Sequence, residues 1–70
     1  MPKFLLSKHV VRVLQSFGFI LVSQKGSHAK FKNGSLTVIV PIHNKEMPRG
    51  TFSSIVQQSN LKKEDFENYK

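Results

Sequence analysis

The apolar positions of this chain keep one spacing, change to a second, and then return to the first. Val10, Val13, Leu14 and Phe17 recur at i, i+3, i+4 and i+7, the spacing of one helical face, with Lys8, Arg12 and Gln15 opposite. Ser7 is placed to cap that helix, Leu6 and Val11 to staple its entry, and Gly18 to stop it in a left-handed conformation. After Gly18 the pattern changes to that of strands. Residues 19–24 are rich in β-forming side chains and end at Lys25-Gly26-Ser27, a turn. His28-Ala29-Lys30-Phe31-Lys32 alternates, Asn33-Gly34 signals a hairpin, and Leu36 to Val40 forms a largely apolar strand closed by Pro41. A loop over residues 42–50 precedes a second helix starting near Thr51, with Phe52, Ile55 and Val56 as its buried side. Asn60 breaks that helix, and Leu61 with Phe66 anchors a short terminal turn or helix.

The predicted order is α-β-β-β-α plus a tail, an α+β class. A three-stranded antiparallel sheet with both helices on one face buries these stripes most economically and leaves the other face open. That topology resembles the double-stranded-RNA-binding domain, a likeness of fold that carries no function by itself.

Seventy residues, numbered 1–70, read as a single domain with no repeat or linker. A chain of this size hides only about 60% of the surface it exposes when unfolded, so its core is thin. The absence of Cys removes disulfides and thiolate metal sites from consideration. No apolar run spans a bilayer and no signal-peptide pattern opens the sequence, which makes a soluble cytoplasmic protein without membrane contact the expectation.

Charge narrows the choice of partner. The formal net charge is +7, and its distribution is uneven. Lys3, Lys8, Arg12, Lys25, Lys30, Lys32 and Lys45 fall within residues 1–45, which contain no acid. Glu46, Glu64, Asp65 and Glu67 all come later and are balanced by Arg49, Lys62, Lys63 and Lys70. A cationic field of this kind attracts polyanions, of which nucleic acid is the most abundant in a cell.

Alternation in the middle strand then groups the candidate chemistry. Ala29 and Phe31 point at the helices, so His28, Lys30 and Lys32 project together from the open face. Lysines neutralise a phosphodiester and the charge developing on it, and imidazole ordinarily titrates where it can both take and give protons. Gly26 permits close approach of a ligand to the backbone, and Ser27 adds a hydroxyl. Three histidines with neither thiol nor carboxylate company make no convincing metal site. His9, in the first helical turn, is expected to face solvent, and His43, beside Pro41, reads as a loop residue without an assigned role.

Almost the whole chain resembles the HicA toxins, through motifs in matching order. Gly18-Phe19 after the first helix is similar to the family's Gly-Phe, Lys25-Gly26-Ser27-His28 to its Gly-Ser-His, and Pro41-Ile42-His43 to its Pro-x-His. Lys45-Glu46 precedes Gly50-Thr51-Phe52-Ser53-Ser54-Ile55, which resembles the opening of its last helix, with Phe52 where an aliphatic residue is commoner. The resemblance implies the toxin of a type II toxin–antitoxin system, an endoribonuclease cleaving messenger RNA, with His28 as catalytic residue. Lys25, Gly26, Ser27, Lys30 and Lys32 are then the candidate RNA contacts. It implies no metal and no other cofactor, and a HicB-type antitoxin partner that blocks access to His28. Attack by the ribose 2′-hydroxyl on the adjacent phosphate is the route that such a site suggests, leaving a cyclic phosphate and a 5′-hydroxyl. The alternative is a non-catalytic RNA-binding module of the same fold. Against it, residues 51–60 carry no Lys or Arg, whereas a double-stranded-RNA-binding domain relies on a basic cluster at the start of its last helix. A protein-interaction module whose basic face docks an acidic partner is compatible with the toxin reading.

Overall fold

The structure is a computed structural model that describes residues 6–42 and 47–67. His43, Lys45 and Glu46 therefore lie outside the described residues, as do the terminal Lys3 and Lys70. The described elements are α1 (Ser7–Ser16), β1 (Ile20–Lys25), β2 (His28–Asn33), β3 (Leu36–Pro41), α2 (Arg49–Ser59) and α3 (Lys63–Glu67). The strands form an antiparallel sheet in the order β1-β2-β3. The α+β, α-β-β-β-α architecture read from the sequence is the one observed, and the tail closes as a short third helix.

Val10, Val13 and Leu14 of α1 are buried, as the helical spacing requires. Full burial of a Val or Leu side chain contributes about 1.5–3 kcal/mol relative to exposure, so this face accounts for much of the attachment of α1. Two expectations at the helix ends are corrected. The N-cap is Leu6 rather than Ser7, and no side chain caps the helix. Ser7 is instead buried in the first turn, and its hydroxyl donates to the Pro41 carbonyl at 2.6 Å, tying α1 to the end of β3. Phe17, expected on the core stripe, is the C-cap and is exposed, because the helix terminates one residue before it.

Gly18 stops α1 as foreseen. Its N–H donates to the Gln15 carbonyl at 3.1 Å and that of Phe19 to the Leu14 carbonyl at 3.0 Å, the paired bonds of a Schellman cap. Leu14 and Phe19 are both in the core, supplying the apolar contact that accompanies this motif. The φ of Gly18 is +97°, and a Cβ there would stand 3.3 Å from Asn33 Nδ2, the atom that donates to the Phe17 carbonyl. A Gly18→Ala protein is accordingly expected to lose about 1–3 kcal/mol. A melting temperature lowered by roughly 4–8 °C per kcal/mol would register that loss, and an unchanged melt would contradict it.

Both hairpins turn on a Gly-Ser pair. Lys25 pairs with His28 and Asn33 with Leu36, so the two-residue loops are Gly26-Ser27 and Gly34-Ser35. Glycine has positive φ in each, +57° at Gly26 and +61° at Gly34, and neither serine does, the pattern of a type II′ turn. The second hairpin therefore turns one residue later than Asn33-Gly34 suggested. Asn33 ends β2, and its side chain secures the α1 exit.

The core lies between one sheet face and the helices. Ala29, Phe31, Val38 and Val40 come from β2 and β3, and Phe19, Met47, Ile55 and Phe66 join the α1 residues against them. Helix α2 begins two residues before Thr51, directly after extended Pro48, and packs mainly on β3. Ile55 is buried, with Phe52 and Val56 half-buried, and Asn60 ends the helix at φ +60°. Leu61 and Phe66 return the tail to the core, where Phe66 meets Phe52 edge-on at a centroid distance of 5.4 Å. His9 departs from the solvent-facing expectation because the tail folds back beside α1. It is half-buried, and its Nε2 lies 2.9 Å from the Phe66 carbonyl.

Candidate active site

The side chains singled out by alternation share a face. Ala29 and Phe31 are buried while His28, Lys30 and Lys32 are exposed, so one turn of the pleat separates core from open surface. Register adds what alternation omits. His28 lies opposite Lys25 on β1 and Pro41 on β3, Lys30 opposite Ser23 and Ile39, and Lys32 opposite Ile20 and Thr37. Directly opposed residues share a face, so Lys25 belongs with His28, at a Cα separation of about 5.5 Å if the pair is hydrogen-bonded. Lys25, Lys30 and Lys32 thus surround His28 on one face, which exposed Ile39 interrupts.

The turn before His28 is held from both sides. Gln24 Nε2 donates to the Gly26 carbonyl at 3.1 Å. The Ile42 N–H donates to the Ser27 carbonyl, which anchors the exit of β3 beside the turn. This bond flanks the His28–Pro41 pair, so the proline, lacking an N–H, removes no ladder bond to β2. Beyond its own chain neighbours no atom lies within 4 Å of where a Gly26 Cβ would be, so the positive φ alone demands glycine there. Ser27 is exposed beside it. His28 therefore starts a strand immediately after a rigid two-residue turn, on a short lever from the backbone that fixes it.

Electrostatically the face is one-sided. The described acids, Glu64, Asp65 and Glu67, all belong to α3 in the helical layer. No carboxylate among the described residues faces His28 from the sheet. Among the described residues there is also no group of three or more His, Asp or Glu able to hold a metal ion. Ile39 and Pro41, with Ile20, Ser23 and Thr37, are open-face residues that sequence reading missed. The β3 run is apolar on both sides, so its pattern does not tell which residues face outward, and only the pairing with β2 does.

The family comparison covers this region. Residues 7–61 match the model of the family described as the HicA toxin of bacterial toxin–antitoxin. The match takes in α1, the whole sheet and α2, including Gly26-Ser27-His28, and stops before α3. Among curated proteins no match was found. With most of its length covered by that match and its fold in the expected order, the chain belongs to the HicA family of toxins from bacterial toxin–antitoxin systems.

Proposed function

We propose that this toxin is a metal-independent endoribonuclease that cleaves messenger RNA, with His28 as the catalytic residue, and that a HicB-type antitoxin neutralises it. The observation that carries this reading is the placement of His28 among Lys25, Lys30 and Lys32 on an exposed sheet face. A phosphodiester laid across the face meets cations on two strands and one imidazole between them. Neutral His28 removes the proton from a ribose 2′-hydroxyl. The 2′-oxygen forms its bond to phosphorus, and the bond from phosphorus to the 5′-oxygen breaks. Lys25, directly across the hairpin, is the proton donor to the departing 5′-oxygen, while Lys30 offsets charge on the phosphoryl oxygens. The fragments carry a 2′,3′-cyclic phosphate and a 5′-hydroxyl. No metal is needed because the nucleophile is internal to the RNA.

End-group analysis of the cleaved RNA tests the route. Cyclic phosphate ends, and resistance of a substrate with a single 2′-deoxy sugar at the cleavage position, are expected; 5′-phosphate ends would exclude it. The lysine roles have a separate readout. With Lys25, Lys30 and Lys32 each meeting a phosphate, log affinity for single-stranded RNA should fall with log salt at a slope of roughly −2, about −0.7 per contact. Lys30→Ala should make that slope shallower by about 0.7. A slope indifferent to salt would remove the phosphate-binding role.

A further inference from the structure

The two edges of the sheet differ. At β3 the N–H of Ile39 points away from β2 and is accepted by Gln58 Oε1 of α2 at 3.2 Å, and Pro41 offers no N–H. That edge is closed. Among the described residues nothing comparable covers β1, whose six residues are all exposed. Exposure there falls on apolar side chains: Ile20 64%, Leu21 50% and Val22 45%, continued by Phe17 at 43%. Single exposed apolar residues are ordinary, but here they line a free edge on both sides, Ile20 opposite Lys32 on the open face and Leu21 opposite Phe31 on the helix side, with exposed Phe17 three residues before them in the chain, and such an edge invites a partner. The register shift between Leu21 and Ser23 leaves Val22 as an extra residue in β1. Such a bulge discourages long, flat strand pairing while keeping the side chains available.

We propose that the β1 edge, through Phe17, Leu21 and Val22, is where the neutralising antitoxin docks, by an extended apolar segment of an acidic protein. The inference rests on the toxin–antitoxin reading above and assigns a surface to its partner. Charge selects that occupant over a second copy of this chain. Residues 1–45 contain no acid, and Lys25 and Lys32 border the β1 patch on the sheet. Two copies meeting edge to edge would bring two chains of formal charge +7 together. An acidic partner is instead attracted to this rim and lies beside His28 without displacing any element.

The test uses the full chain and a HicB-type antitoxin that neutralises it, with affinity measured by calorimetry in a His28→Ala background. Val22→Glu is expected to weaken the complex about 10–100-fold, as loss of an interface anchor does, and Val22→Lys to weaken it less. Phe17→Glu, at an exposed helix end, should repeat the Glu result. Carried by the otherwise unaltered toxin, each Glu substitution should leave growth arrest intact and make it resistant to co-expressed antitoxin. Affinity within twofold of the parent in both Glu variants overturns the proposal. So does an equal loss for Val22→Lys and Val22→Glu, or a sedimentation profile showing that the chain alone dimerises through Val22. Loss of RNA cleavage by both folded Glu variants would assign the edge to RNA and overturn it too. An unaltered toxin that cleaves no RNA sinks the nuclease reading instead, whatever the binding data show.

Discussion

Replacing His28 by alanine is expected to slow RNA cleavage by about 10²–10⁴-fold, the usual contribution of a general acid–base group, and to leave the fold unchanged. The second half of that expectation comes from its surroundings. His28 is exposed, begins β2, and supports nothing in the core; its neighbours Ala29 and Phe31 do that. The turn that presents it is fixed by the Gln24 side-chain amide and the Ile42 N–H rather than by the imidazole. Thermal melts of the two proteins should therefore superimpose while cleavage and growth arrest differ. Growth arrest by the His28→Ala protein at undiminished strength would show that the toxicity does not pass through this residue. Lys30→Ala gives the contrasting result, a weaker RNA affinity with a smaller loss in the rate at saturating RNA.

Removing Phe66 should do the reverse, destroying stability without touching the site. Phe66 is fully buried, and its ring closes edge-on upon Phe52 of α2. Truncation of such a ring to alanine costs about 3–5 kcal/mol, through lost transfer energy and the cavity left behind. A domain of this length has roughly 4–10 kcal/mol in total, at the usual 0.05–0.15 kcal/mol per residue. Phe66→Ala is therefore expected to halve the denaturation midpoint or worse, and to free His9 from the Phe66 carbonyl as α3 detaches. The family match ends at residue 61, before this side chain. A midpoint unchanged in urea would mean that α3 adds nothing to the core that residues 7–61 form on their own.

Much of the fold was readable because it rests on local periodicity. The i, i+3, i+4 spacing of Val10, Val13 and Leu14, the alternation through Ala29 and Phe31, and Gly18 at a left-handed stop each have a cause within a few residues. The errors occur where distant chain segments compete for a group. Ser7 has the chemistry of a cap, but the Pro41 carbonyl takes its hydroxyl. Asn33-Gly34 has the chemistry of a turn, but the Phe17 carbonyl holds Asn33 and the turn moves to Gly34-Ser35. His9 looked solvated because nothing nearby in sequence predicts that the tail will lie against it.

The candidate site divides in the same way. By itself the sequence determined which face His28, Lys30 and Lys32 share, since a strand's pleat has period two and Ala29 and Phe31 must be inside. It also determined the sign of the field, through the absence of acids from residues 1–45. The tertiary structure alone decided that Lys25 opposes His28, that Pro41 flanks it from the other side, and which residues of the largely apolar β3 face outward. It alone decided that Ile20, Leu21 and Val22 remain uncovered, because their composition is that of a buried strand. The physical reason is that pleat and helical period are properties of a segment, whereas register and coverage depend on which strands and helices pair across the fold.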